Sequence, residues 1–311
     1  MVKVTTPVAL ATVPEKVQKL LAEREAARVA KDYATSDALR AELLSLGYEV
    51  QDRVGGYELT KLGDRDQAPA TSFLVLFGSG ENAPSAVAIY RDLFLALGKR
   101  DLTLALITTP AGFQPNVAHV YGEIRDFLLA ALPDFNLTIR IVRADTRADC
   151  DREEIVAELD GADVIFTGPG SPTYAVRTLR DTKVYTKIIT QVKNGTSLIL
   201  ASAATITFSR HALPVYEIYK VGADLHWQDG LNLYKEIWEE RTIIPHFNNT
   251  EGGATLDTTH CYIGKARAEV LLDKLPSTEK VIGIDEHTAM IVDRRRGALS
   301  VRGKGSLHQV K

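Results

Sequence analysis

Gly195-Thr196-Ser197-Leu198-Ile199-Leu200-Ala201-Ser202-Ala203-Ala204-Thr205 reads as a buried strand that runs out into small residues around one serine. Ile206 to Ala212 follows as a helix-compatible segment. A strand turning sharply into a helix with a hydroxyl at the apex is the geometry of a nucleophile elbow. There the serine is held in strained backbone, and the helix N-terminus aims free N–H groups at the site. The same residues also suit a buried strand followed by an ordinary turn, so the flanking chain decides the reading.

Outward from this stretch, beginning at Ser72, apolar runs alternate with amphipathic segments, the pattern of a parallel α/β sheet flanked by helices. Strands are predicted at 73–77, 102–107, 137–142, 163–167, 197–201 and 242–244. A closely spaced set at 281–284, 288–292 and 298–302 reads as antiparallel additions. Helices fit 84–97, 117–132, 152–159, 173–180, 185–192 and 265–274. Ligands in such sheets bind outside the carboxyl ends of the strands, so those ends are where chemistry is expected.

The turn Gly168-Pro169-Gly170-Ser171-Pro172-Thr173-Tyr174 lies at one such end, and its N–H groups could face an oxyanion. Gly78-Ser79-Gly80-Glu81 is neither a Walker loop nor a dinucleotide fingerprint. Pro245-His246-Phe247 follows a short strand, which brings the His246 imidazole to the same sheet edge as Ser202. Between them, Glu217 sits in the largely apolar Tyr216-Glu217-Ile218-Tyr219 and could orient the imidazole; pairing with Lys220 is the alternative. The expected catalytic set is therefore Ser202, Glu217 and His246. The strings Asn248–Gly253 and His226–Gly230 are expected to line a different pocket, with no ligand assigned.

Composition narrows the classes. With 311 residues, 45% hydrophobic and 25% charged, the chain has room for a large core, and a net charge of -3 gives no case for nucleic acid or anionic membrane as main partner. Two distant cysteines, Cys150 and Cys261, argue against structural disulfides. No signal-peptide pattern and no long apolar span appear, so a cytoplasmic protein without membrane contact is expected. The scattered histidines ask for no metal, and no cofactor is expected.

Residues 14–46 show helical periodicity. Val17, Leu20 and Leu21 form one stripe, Tyr33 and Ala34 mark a turn, and Thr35 or Ser36 could cap a second helix that ends at Gly47. The expected organisation is a small N-terminal antiparallel helix pair (1–60), a polar linker (61–71) and an α/β domain (72–311). The run Leu21, Arg24, Ala27, Arg28, Lys31, Asp32, Tyr33, Ser36, Asp37, Leu39 and Arg40, then Leu43, Gly47, Val50 and Asp52, resembles the C-terminal helical domain of cysteinyl-tRNA synthetases. That resemblance raises tRNA as a partner. Against it, the acids Glu15, Glu23, Glu25, Asp32, Asp37, Glu42, Glu49 and Asp52 outnumber the bases Lys16, Lys19, Arg24, Arg28, Lys31, Arg40 and Arg53, whereas counterion release needs a basic excess. A docking or dimerising role for the helix pair, in a homo-oligomer, is the favoured expectation.

Four segments of the large domain resemble the serine peptidase family of cyanophycinases and peptidase E (aspartyl dipeptidase). They are the turn at 168–174, Gly195 ahead of Ser202, Pro245-His246-Phe247, and Gly283-Ile284-Asp285-Glu286-His287-Thr288-Ala289 with Val301, Gly303 and Gly305. The resemblance implies the flavodoxin-like, class I glutamine amidotransferase-like fold and hydrolysis of a small peptide, isopeptide or related amide. It implies Ser202 as nucleophile, His246 as proton shuttle and Glu217 as the acid. Backbone N–H groups of Ala203 and of Gly168 or Gly170 would form the oxyanion hole, with Ser171 and Asn248 at the substrate. The chain departs from the family's elbow at Leu200 and Ala204, where glycines stand, and Leu200 is expected to crowd the turn. A non-catalytic binding module on the same fold is the alternative.

Overall fold

The chain divides into two units, residues 1–69 and 70–311, and the computed structural model describes residues 6–7, 13–46, 48–53, 56–61 and 71–311. In the first unit, β1 (Thr6–Pro7) precedes a helical hairpin of α1 (Glu15–Val29) and α2 (Tyr33–Ser45), followed by β2 (Tyr48–Arg53) and β3 (Gly56–Lys61). The strands pair antiparallel in the order β1-β3-β2. Val17, Leu20 and Leu21 bury their stripe against Leu43, Val50 and Leu59, as the helical period requires.

Tyr33 is already helical, and Asp32 accepts a hydrogen bond from the Thr35 N–H at 3.1 Å. The expected turn at Tyr33–Ala34 and cap at Thr35 or Ser36 are thus displaced, because Asp32 satisfies a free N–H of the first turn from one turn further back. Gly47 and residues 62–70 of the expected linker lie outside the described residues.

Arg24 is 1% exposed, yet its guanidinium forks onto Asp52 at 2.8 and 3.0 Å, with Arg28 adding a contact at 2.9 Å. These donors hold the Asp52 carboxyl below its usual range, the bond from Arg24 being the largest cause. Such a depressed carboxyl contributes stability above the ordinary carboxylate range and loses it as pH falls. Replacing Asp52 with alanine leaves a buried guanidinium unpaired and is expected to cost about 3 kcal/mol locally. Hydrogen exchange on the full chain checks this: amides of α1 should exchange faster while those of the large unit's sheet do not change.

The large unit runs β4 (Phe73–Phe77), α3 (Val87–Ala96), β5 (Asp101–Ile107), α4 (Val117–Ala131), β6 (Asn136–Val142), α5 (Glu153–Ala157) and β7 (Val164–Thr167). It continues with α6 (Pro172–Leu179), α7 (Lys183–Lys193), β8 (Ser197–Ala201), α8 (Ala203–Thr207), β9 (His211–Ala212), α9 (Val215–Tyr219), β10 (Gln228–Asp229) and α10 (Leu233–Ile237). Last come β11 (Thr242–Ile244), α11 (Lys265–Asp273), β12 (Val281–Ile284), β13 (Thr288–Asp293), β14 (Ala298–Gly303) and β15 (Leu307–Gln309).

The main sheet has seven strands in the order β14-β13-β4-β8-β7-β5-β6. The five from β4 to β6 are parallel, and β13 and β14 are antiparallel additions. Strand alternation sends Leu76, Leu198 and Leu200 to one face, against Leu179, Ile188 and Ile206. Val75, Phe77 and Ile199 go to the other, against Tyr90, Phe94 and Tyr121. This is the expected α/β architecture, with one correction. β12 does not join the antiparallel edge but pairs parallel with β11 and antiparallel with β15 in a separate three-stranded sheet. The turn from β12 to β13 therefore crosses from one sheet to the other beside the carboxyl end of β4.

Candidate active site

β8 is buried along its whole length and ends at Ser202, whose backbone sits at φ 51°, ψ -116° before α8 begins. A non-glycine residue there stores about 1–3 kcal/mol of strain and persists only when its surroundings fix it. They do so at both ends of the residue. Its N–H donates to the Phe77 carbonyl at 3.1 Å, and its carbonyl accepts from the Thr205 N–H and hydroxyl at 3.0 and 2.7 Å. Leu200, expected to crowd this turn, is still regular strand: it pairs with Leu76 and Thr167 and buries its side chain in the core. The helix starts at once with Ala203 and is shorter than the segment to Ala212 that the sequence allows, because His211–Ala212 turns into β9.

His246 leaves β11 with φ 49°. Its N–H donates to the Gly78 carbonyl at 3.2 Å, and its own carbonyl accepts from Asn249 and Cys261 at 3.2 and 3.1 Å. Gly78 has no room for a Cβ, because the carbonyls of Ile284 and Asp285 fill that space. Three loops are thereby drawn together at the end of β4. The imidazole Nε2 lies 2.8 Å from the Ser202 hydroxyl, and Nδ1 lies 2.7 Å from Glu286 Oε1. With the proton on Nδ1, the ring donates to Glu286 and accepts from Ser202.

Glu286 is itself fixed. Asn249 donates to the same Oε1 at 2.8 Å, and the Glu286 N–H donates to the Asn248 side-chain oxygen at 2.8 Å. The bond from His246, ahead of the opposing effect of burial, lowers the Glu286 pKa from the usual carboxylate value. Glu286 therefore stays ionised as pH falls through the ordinary carboxylate range, and its stabilising contact with His246 is lost only below that.

Ser202 and His246 meet as the sequence led one to expect, but Glu217 does not join them. It stands on α9, and its Oε2 is buried without a hydrogen-bond partner. The place beside Nδ1 is taken by Glu286, because the β12–β13 turn reaches His246 and the short helix α9 does not. Asn248, expected at the substrate, instead anchors the backbone of Glu286. Neither Glu286 nor Asn249 was among the expected site residues. The available signal was the string Gly283–Ala289, which places an acid between two closely spaced strands.

A cavity of about 320 Å³ opens over this array and is lined by Ser202, His246, Ala203 and Gly170, with Lys220 and Glu251 as its charged walls. Ala203 begins a helix, so its N–H has no partner within that helix, and no hydrogen bond from the Gly170 N–H is present among the described residues. Gly168 is set apart: it does not line the cavity, and its N–H points to the Tyr121 hydroxyl at 3.4 Å. Ser171 caps α6 by accepting from the Tyr174 N–H at 3.1 Å, so its hydroxyl is already engaged. Of the residues expected to supply oxyanion donors, Ala203 and Gly170 thus line the cavity, and Gly168 does not. Gly170 has φ 145°, and a Cβ there would meet the Pro110 carbonyl. Gly170→Ala is expected to displace this donor and lower kcat about 10²- to 10³-fold. The substitution is read by steady-state kinetics alongside circular dichroism.

Cys261 also lines the cavity, and burial raises its thiol pKa, which keeps it protonated and a poor nucleophile. No group of three or more His, Cys, Asp or Glu side chains among the described residues is placed to hold a metal ion. No helix among the described residues is long and apolar enough to cross a membrane.

The model of peptidase family S51 matches residues 111–299, and that of the cysteinyl-tRNA ligase anticodon-binding domain matches residues 11–58. Among solved structures, a peptidase from an acI-B1 Actinobacterium aligns with a TM-score of 0.59 at 23% identity, covering 78% of this chain and 91% of that one. A putative peptidase E from Listeria monocytogenes aligns with a TM-score of 0.51 at 16% identity, covering 76% and 100%. At such identities these likenesses establish the fold.

Cysteine–tRNA ligase of Methanosarcina acetivorans is 49% identical over 49 residues, 16% of this chain and 10% of the ligase. The Oenococcus oeni ligase is 43% identical over 51 residues, 16% and 11% of the two chains. The chain therefore spans only about a tenth of the length of these curated relatives.

Proposed function

Because the chain belongs to peptidase family S51, a family of serine-type peptidases, we propose that it cleaves a small peptide, isopeptide or related amide through Ser202, His246 and Glu286. The continuous chain from the Ser202 hydroxyl through both imidazole nitrogens to Glu286 carries this reading. Ser202 Oγ attacks the scissile carbonyl while Nε2 takes its proton, and Glu286 stabilises the imidazolium that forms. The developing oxyanion is received by the N–H groups of Ala203 and Gly170. His246 returns the proton to the leaving amine, an acyl group stays on Ser202, and water activated by the same imidazole releases it. Amine release from a panel of dipeptides and isopeptides tests the proposal. Turnover of at least one member by the unaltered protein, and of none by Ser202→Ala, is expected; equal turnover by both proteins would refute it.

A second reading rests on residues 11–58 and their likeness to an anticodon-binding domain: the N-terminal unit presents a tRNA-linked amide to the large unit. The net acidity of this segment counts against it. So does the engagement of Arg24 and Arg28, two of its matching cations, with Asp52 inside the unit. Filter binding with a tRNA transcript across a salt series decides the matter. An affinity that falls as salt rises is what this reading requires, and no salt-dependent binding eliminates it.

A further inference from the structure

Three residues in a row, His260, Cys261 and Tyr262, have φ of 56°, 60° and 67°. The left-handed region is normally visited by single residues, because a Cβ there crowds the following carbonyl, and Cys and Tyr are poorly suited to it. Such backbone persists only where its surroundings fix it, and it gathers at active sites. We propose that this turn holds the Tyr262 ring against the His246 imidazole, and that Tyr262 is a positioning residue that keeps His246 aligned between Ser202 and Glu286. The proposal rests on the catalytic reading above and adds to it what restrains the imidazole.

The turn is bonded to the residue it serves. The Cys261 N–H donates to the His246 carbonyl at 3.1 Å, and the His260 N–H donates to the Phe247 carbonyl at 2.9 Å. The Tyr262 N–H closes the turn on the Thr258 carbonyl at 2.9 Å, and Cys261 and Ile263 on either side of Tyr262 are buried in the core. Tyr262 is left facing the catalytic cavity, with its ring centre 5.6 Å from that of the imidazole and the two planes 49° apart. The Tyr219 ring, also on the cavity wall, packs on Tyr262 in turn at 5.5 Å.

The imidazole needs such a neighbour. Hydrogen bonds hold it at Nε2 and Nδ1 only, which fixes those two atoms and leaves the ring free to rock about the line joining them. Once Ser202 Oγ carries the acyl group, its hydroxyl proton is gone and the bond at Nε2 is lost until water replaces it. Glu286 at Nδ1 and the Tyr262 ring alongside are then the restraints that remain, and a catalytic group is held in productive geometry by such packing. The same wall reaches the acid. Burial, and after it the Glu251 carboxylate beside Tyr262, pushes the Tyr262 hydroxyl pKa up. The Glu251 N–H donates to Asn249 Oδ1 at 3.1 Å, and Asn249 donates to Glu286. One wall of the cavity is thereby tied to both the imidazole and its carboxylate.

The full-length protein is reacted with a fluorophosphonate at a series of concentrations, which separates the limiting rate of labelling at Ser202 from the half-saturating concentration. Tyr262→Leu should lower the limiting rate about ten- to hundredfold and leave the half-saturating concentration nearly unchanged, the pattern of a misaligned reacting group rather than of a weakened binding wall. Tyr262→Phe, which keeps the ring, should restore most of that rate. Tyr262→Met, which fills the space without a rigid ring, should behave as Tyr262→Leu does, and it keeps the comparison decisive if thermal unfolding shows that the leucine variant does not fold. An unchanged limiting rate without the ring, a change confined to the half-saturating concentration, or an equal loss in Tyr262→Phe would each overturn the proposal. Any of these results with Ser202 labelled in the unaltered protein rejects only the role of Tyr262. Failure to label Ser202 in the unaltered protein rejects the catalytic reading, and the role of Tyr262 with it.

Discussion

Ser202→Ala is expected to lower kcat about 10⁴- to 10⁶-fold, the scale seen when a serine nucleophile is removed and only binding and oxyanion contacts remain. The size of the effect follows from chemistry that no neighbour can supply. Cys261, another potential nucleophile along the cavity wall, is held as a neutral thiol by burial. Stability should change little. Alanine keeps the Cβ that already tolerates φ 51°, and the Phe77 and Thr205 bonds that fix the turn involve only backbone atoms of residue 202. Steady-state kinetics on any substrate found in the amine-release panel, with thermal unfolding as the control, reads both halves of this expectation.

Glu286→Gln should lower kcat about 10³- to 10⁴-fold with a smaller change in KM. The neutral amide cannot stabilise the imidazolium. It can also turn an N–H toward Nδ1, which would favour the tautomer that leaves Nε2 protonated and unable to take the serine proton. Asn249 donates to the same oxygen, so it should help hold the carboxylate in place, and Asn249→Ala is expected to give a weaker loss of the same kind. Glu217→Gln provides the contrast. Its carboxyl makes no hydrogen bond or ion pair with His246 among the described residues, so kcat should stay near the original value. If Glu217→Gln lost kcat as heavily as Glu286→Gln, the assignment of the acid would be wrong.

The parallel sheet was legible because its strands are buried on both faces and read as unbroken apolar runs, as in Phe73–Phe77 and Ser197–Ala201. The elbow and His246 were legible for a related reason: each follows directly on such a run, so the strand fixes where the next residue emerges. The acid was not legible in this way. Glu217 was expected from its apolar setting between Ser202 and His246 and from the family resemblance, and neither says which loop reaches Nδ1. Glu286 lies 40 residues beyond His246 and arrives only because β12 leaves the main sheet to pair with β11 before β13 returns to it. That change of sheet depends on tertiary pairing, which a run such as Val281–Ile284 does not reveal.

Leu200 was misread for a local reason. The backbone departs from strand geometry only at Ser202, so the residue two positions earlier needs no small side chain. In the N-terminal unit, a count of charges could not tell that Arg24 is buried against Asp52. Two of the cations in the motif therefore serve the fold of the unit itself.

The most direct test of the central claim is intact-mass and peptide mapping of the unaltered protein after exposure to a fluorophosphonate. A single adduct on the peptide that contains Ser202, formed far more slowly in His246→Ala, is the predicted result. No adduct, or an adduct on another residue, would contradict it.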